Sequence, residues 1–323
     1  MRTSVSTVGA RQAQVADHDM GPNIGRPAQY GALTMPPRKR PNLCTDPLVH
    51  HGRHFGRAIY AFANVHALLN TGINLDDSTP AETQQERREI RVYKKLMNMV
   101  PGLEDRLMSS SEEEVMAIAN MIQKGAASGR SDDTKSMKGA ILDWIVPSSG
   151  EPLRPPLARN IKANRGFNHE RTGLLLCPTG LDWNNEEVKR QMRSKEIIVT
   201  GDHWPLFLFQ NETYNPQDPY KGFLKGNLLV MGFKHVFTSP SSVNDEPRAT
   251  RSGNARIHGM TQVTRAAIAY IATQVRFALS SASVFSRTDR ETDSETFFIS
   301  LLEVLEDPAE QKEINSILRW WNQ

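Results

Sequence analysis

"MTQVTRAAIAYIATQVRFALSS", residues 260–281, carries the plainest structural signal in the chain. Met260, Val263, Ala267, Ile271, Val275 and Ala278 recur at intervals of three and four, the spacing that lays one apolar stripe along a helix. Gln262, Arg265, Thr273 and Arg276 fall on another stripe. Arg265 and Arg276 are eleven residues apart, close to three full turns, so their guanidinium groups project from one face. The expectation is a helix opening near Gly259–Met260, apolar on one side and basic on another.

The same period extends outward. Phe55, Ile59, Phe62, His66 and Leu69 form one stripe, and Ile90, Tyr93, Met97 and Val100 a second. Val115, Ile118 and Ile122 continue the series, as do Ile141, Trp144 and Ile145. Asp46-Pro47, Asp218-Pro219 and Asp307-Pro308 each place a capping carboxylate before a proline, and Thr79-Pro80 places a hydroxyl there. Thr79 with Glu82, Ser111 with Glu114 and Asp307 with Glu310 have capping-box spacing. Five helices are expected before residue 147, and helices resume over about 219–237, 260–281, 295–306 and 308–321. The fold class is mainly α: a multi-helix globular domain of about nine helices. Two short apolar runs, "GLLLCP" (173–178) and "EIIVTG" (196–201), flank a further helix near 184–193. Their length suits a small two-stranded element near 173–200.

At 323 residues, 38% hydrophobic and 23% charged, the chain can bury a substantial core. Mean hydropathy is −0.49, and no run approaches the roughly 18 apolar residues of a spanning helix. The first residues lack the apolar core of a signal peptide. Two cysteines, Cys44 and Cys177, cannot supply a disulfide framework or a four-thiolate zinc site. An intracellular protein, nuclear or cytoplasmic, is expected. Residues 1–45 are rich in Gly, Pro, Ser, Gln and Arg and read as a disordered basic arm ahead of a helical domain over 46–323. The Pro-rich stretch 147–165 is a candidate boundary within that domain. Residues 1–57 hold eight basic side chains against three acidic ones, although the whole chain carries only +3. Arg38, Lys39 and Arg40, within "PPRKRP", are a nuclear-import candidate, with an ordinary charged tail as the plainer alternative.

Four motifs have a familiar look together: "RGFNHERTGLLLCP" (165–178), "GDHWPLFLF" (201–209), "KHVFTSPSSV" (234–243) and "ARIHGMTQVTRAAIAYIATQVRFALSS" (255–281). The chain resembles an uncharacterised domain family of mushroom-forming (basidiomycete) fungi over roughly residues 50–306, most specifically from 164 to 306. The resemblance implies a fungal origin and a shared fold, and it supplies no catalytic residues. Tyrosine is frequent in that pattern where Phe209 and Phe298 stand here, which argues against an essential phenol at either place.

Chemistry-bearing groups are sparse. His50 and His54 have the i,i+4 spacing that sets two imidazoles on one helix face, with His51 beside them. A zinc site wants a third ligand, and His51, Gly52 and Arg53 stand between the two histidines, with no glutamate of the metalloprotease kind and an arginine that disfavours a cation. A polar first turn is the plainer reading, and no metal site is expected. Cys177 has His169 upstream, but it follows three leucines and precedes Pro178, the setting of an inert buried thiol. No phosphate-binding glycine loop or nucleophile elbow occurs, so no cofactor is expected. "GDHWPLFLF" reads as a loop pegged to the core by Trp204, with Asp202 accepting downstream N–H groups. No catalytic residue is assigned.

Arginine gives the sharpest positive signal. "PRATRSGNARIHGMTQVTR" (247–265) holds Arg248, Arg251, Arg256 and Arg265 with His258 and no acidic residue, and Arg276 joins from the same helix face. Arginines ahead of a helix N-terminus make a candidate anion or nucleic-acid surface, while a solvated basic face is commoner. A second basic stretch runs through Arg154, Arg159, Lys162, Arg165 and Arg171. Stacking aromatics are few, since Tyr270 and Phe277 suit the core. Trp320 and Trp321 cannot share a helix face, and docking back on the domain is expected. The leading expectation is a non-enzymatic protein that binds nucleic acid or another anionic partner through an arginine-bearing helical surface. The alternatives are an interaction scaffold or homo-oligomer with an apolar contact surface and, third, an enzyme of unfamiliar type.

Overall fold

Helix α10 (Arg265–Leu279) has no exposed side, since every residue from Ala266 to Leu279 is buried. The computed structural model describes residues 47–74, 81, 83–147, 150–243, 252–288 and 293–323. Small side chains let the surrounding elements close on α10. Ala266, Ala267, Ala269, Ala272 and Ala278 permit close approach, while Ile268, Ile271, Val275 and Leu279 fill the space between. Several of its buried polar groups find partners inside the fold. Tyr270 donates to Asp133 at 2.6 Å, Thr273 to the Ala269 carbonyl at 2.8 Å, and Gln274 accepts from Thr134 at 2.9 Å. The helix opens at Arg265 rather than near Met260, because the Thr264 hydroxyl caps it by accepting from Ala267 N.

Five helices precede residue 147: α1 (Pro47–Ala58), α2 (Val65–Ile73), α3 (Gln84–Met99), α4 (Leu103–Met108) and α5 (Glu112–Trp144). The number is the expected one, but the partition differs. The Phe55–Leu69 stripe is two helices, because the chain leaves helix after Ala58 and Asn64 caps a new start. The stripes at 115–122 and 141–145 belong to one helix of 33 residues. Ser111 and Glu114 form the expected capping box of α5, and Thr83 with Glu86 forms one for α3. Thr79, Pro80 and Glu82 lie outside the described residues.

Beyond these come α6 (Glu170–Leu176), α7 (Glu186–Ser194), α8 (Asn227–Phe233, continued by a π turn over Lys234–Thr238) and α9 (Asn254–Ile257). After α10, α11 (Ser294–Glu306) and α12 (Gln311–Trp321) complete twelve α-helices among the described residues. Asp218-Pro219 opens no helix, since Leu224 stands in the left-handed region (φ 54°) and breaks the path to α8. The expected strand pair is absent: the described residues hold only isolated bridges, Pro178–Pro205 and Phe209–Phe223. "GLLL" is the end of α6, begun by His169 as its cap. In "EIIVTG", Ile197 and Val199 turn onto Cys177, Trp183 and Met192, while Ile198 is 59% exposed. That is a strand's alternation without a partner strand. An apolar run this short does not separate helix from strand by its period.

Helix α5 spans two cores. Up to Ile122 it closes an apolar cluster with α1 to α4, and from Met137 it joins the larger cluster around α10. Backbone meets backbone where α1 crosses α5. A Cβ on Gly52 would lie 2.2 Å from the Ile122 carbonyl oxygen, and one on Gly125 would lie 2.2 Å from that of Val49. Beside this crossing, Arg57 donates Nε and Nη2 to Asp133 at 2.7 Å each. With Tyr270, that buried ion pair ties α1, α5 and α10 together. At the C-terminal end Trp321 docks as expected, its Nε1 donating to the Leu224 carbonyl at 3.0 Å with the ring tilted on Phe233.

Candidate functional site

At the carboxyl end of α10 the fold leaves a cleft of about 370 Å³, within the size range of small-molecule sites. Its walls come from the 166–168 loop, the end of α7, the run Ile197–Val199, the turn after α10 and the start of α11. The loop approaches closely because Gly166 sits at φ 65°, where a Cβ would press to 3.1 Å from Ser281 N. The lining is mostly apolar, with Phe167, Met192 and Phe277 inside and the exposed Ile198 at the rim. Arg193, Lys195 and Arg276 also line it, and among the described residues no carboxylate does.

A helix carboxyl end ordinarily repels anions. Here its carbonyls are taken up by basic side chains from the Pro-rich stretch. Lys162 donates to the Phe277 carbonyl at 2.5 Å, its Nζ lying 3.3 Å from the Phe277 ring centroid. Burial, then Arg165 beside it, pulls this amine down to about 6. Arg165, fully buried, donates Nη1 to the carbonyls of Ala278 and Lys138 at 2.8 Å each, and Nη2 to those of Ala158 and Arg159. Arg276 is 7% exposed; its Nη2 donates to the Thr200 carbonyl at 3.1 Å, and its guanidinium lies 4.8 Å from the Phe297 ring centroid. Arg193 pairs with Glu170 at 2.6 Å. An apolar trough with a fixed buried cation can hold the hydrocarbon part of a ligand and orient its anionic end.

Of the six residues singled out as anion-binding the structure describes four, and among these Arg276 alone lines this cleft. Arg265 stands half-buried at the other end of α10, donating Nη2 to Gln311 at 3.3 Å, with Nε buried and unpartnered. The two do not share one exposed face, because α10 is enclosed on all sides between them. Arg256 is exposed on α9, and His258 follows it half-buried. Arg248 and Arg251 lie outside the described residues, as do Arg38, Lys39 and Arg40. The second basic stretch is largely structural. Besides Lys162 and Arg165, Arg159 pairs with Asp143 at 2.6 Å and Arg171 with Glu212 at 2.5 Å.

Sequence spacing could not anticipate one convergence. His258 of the α9 turn stacks on both His50 and His54 of α1, its ring centroid 4.3 Å from each, with interplanar angles of 25° and 8°. Ring nitrogen lone pairs lie in the ring plane, so near-parallel imidazoles do not aim at one point. Among the described residues no group of three or more His, Cys, Asp or Glu has the geometry to hold a metal ion. Burial, then the neighbouring histidines and Arg57, holds His258 down at about 3. Burial, then Arg57 and the other α1 histidines, holds His54 at about 4.

The remaining reactive side chains are separately engaged. His169 Nδ1 accepts from Arg171 N, so Nε2 carries the proton and donates to the Pro155 carbonyl at 2.9 Å. Cys177 is wholly buried against the Pro178 and Leu181 carbonyls, and burial pushes its thiol up to about 11. His203 is exposed and closes its own turn, Nδ1 accepting from Thr200 N at 3.2 Å. The turn is thus closed from an upstream N–H by His203, not by Asp202 accepting downstream N–H groups. Trp204 is the peg, stacked 4.8 Å from Phe223 and donating to Ser300 at 3.3 Å. No hydrogen bond among the described residues links His169, Cys177 and His203.

Every residue lining the cleft falls within a mainly α segment, 124–323, that matches a family of unknown function, DUF6698. The chain belongs to that family. The match begins just past Ile122, where α5 leaves the first apolar cluster, and it contains all four motifs on which a family resemblance rested. No curated protein and no solved structure matches the chain. Among the described residues no helix is long and apolar enough to cross a membrane.

Proposed function

We propose that this protein binds a small amphipathic anion, a hydrocarbon body with a carboxylate or phosphate end, in the cleft at the carboxyl end of α10. One observation carries the reading: the cleft joins an apolar lining to Arg193, Lys195 and Arg276 with no lining carboxylate among the described residues. The anionic partner expected from the sequence is kept, and its place moves from a helical face to a cleft. Binding rather than catalysis is favoured because His169, Cys177 and His203 are committed to separate structural contacts. An intracellular, fungal setting belongs to the same reading.

Calorimetric titration with decanoate, with decanol as the neutral control, tests it. Wild-type protein binds decanoate and not decanol. Ile198→Glu sets a carboxylate on the 59% exposed rim without disturbing the core, and weakens decanoate binding by about tenfold or more. Equal binding of decanol and decanoate would overturn the reading. So would DNA binding whose salt dependence Arg256→Ala flattens, with decanoate not bound at all.

A further inference from the structure

We propose that the stacked imidazoles of His50, His258 and His54 form an acid-sensitive latch, holding the α9 turn on α1 while neutral and releasing it when protonated. The site is separate from the cleft and does not rest on it. The middle ring, His258, lies in face contact with both of its neighbours. Protonating it together with either neighbour would set two imidazolium charges about 4 Å apart.

Among the described residues no carboxylate stands ready to offset them. From α1 the groups around His258 are His50, His51, His54 and Arg57. On its own segment Arg256 adds a further cation. The π turn that packs on α9 contributes Lys234 and His235, and His235 is turned to Ser136 and Trp144. The nearest acids across α1 are engaged: Asp132 pairs with Arg53 at 2.6 Å, and Asp133 with Arg57 at 2.7 Å. His54 Nδ1 is buried without a hydrogen-bond partner, a position open to a proton with no acceptor beside it.

The tether is light. The turn is four helical residues long, half-buried, and held to the π turn by Asn254 donating to the Val236 carbonyl at 2.5 Å. The folded-state values of His54 and His258 lie below the ordinary 6.5, so the contribution to stability is intact above about 6.5. It is lost as pH falls toward about 4 and then about 3. Each proton taken up on release raises the opening equilibrium about tenfold per pH unit within that window.

Amide hydrogen exchange of the full chain, in chelator-containing buffers from about pH 7.5 to 4.5 and corrected for intrinsic rates, reads this directly. Protection over residues 252–260 should fall by about tenfold or more per pH unit below about 6.5, while the amides of α10 hold theirs. His258→Phe keeps a flat ring in the stack and takes no proton itself, so with only His54 left to titrate its protection should fall clearly less steeply than wild type. His258→Asn serves as the second variant and should show the same shallower slope, from a lower starting value. Wild-type protection that parallels either variant across the range overturns the latch, as does ordinary titration of His54 and His258 near 6.5 in the folded chain.

Discussion

Asp133, 5% exposed, accepts two hydrogen bonds from Arg57 and one from Tyr270. Removing the carboxylate leaves a buried guanidinium uncompensated. Asp133→Ala should therefore cost about 3–5 kcal/mol in urea unfolding, and Tyr270→Phe only about 1–2 kcal/mol. A loss below about 1 kcal/mol for Asp133→Ala would contradict the buried pair. At Cys177 the expectation is kinetic. With its thiol near 11 and no exposed surface, it should resist iodoacetamide at pH 8 in the folded chain and react once unfolded. Mass mapping that finds Cys177 alkylated at a free-thiol rate in native protein would contradict that environment. Neither feature is equally visible in sequence. Three leucines and a proline announce a buried Cys177, whereas nothing near Arg57 or Asp133 names the other as partner.

The glycines between α1 and α5 give the sharpest comparison among elements. A methyl on Gly125 would meet the Val49 carbonyl oxygen at 2.2 Å, and one on Gly129 would meet Arg53 atoms no closer than 3.4 Å. Gly125→Ala should destabilise by about 1–3 kcal/mol despite alanine's better helix propensity. Gly129→Ala should be neutral or stabilising by up to about 1 kcal/mol. Thermal unfolding of the two variants decides it, and equal shifts would mean the helices do not touch as described. The two Gly-xxx-Gly pairs, at 52 and 56 and at 125 and 129, were a readable signal for this crossing. Caps were legible where Ser or Thr precedes Glu by three, as at Ser111. The helix α6 was not, because an unusual cap, His169, starts a run too short to show its period.

For the molecule as a whole, the mainly α class was legible because apolar spacing of three and four recurs in segment after segment between Phe55 and Ile145 and again from Met260 to Ala278. The cleft was not. It is lined by segments spread from Gly166 to Ser294, and only the burial of α10 makes them neighbours. Arg276 shows the difficulty most plainly. Helical spacing placed it beside Arg265 on an outer face, but α11 and the Thr200 loop close over it. A period gives the angle around a helix axis and says nothing of how many sides will be covered. The decisive measurement is calorimetric titration of decanoate into the wild-type chain and into Arg276→Gln, with thermal unfolding confirming that both are folded. Arg276→Gln should lose about tenfold or more in affinity, with decanol bound by neither protein. Undiminished decanoate affinity in the folded variant, or no binding by the wild-type chain, would contradict a cleft built for an amphipathic anion.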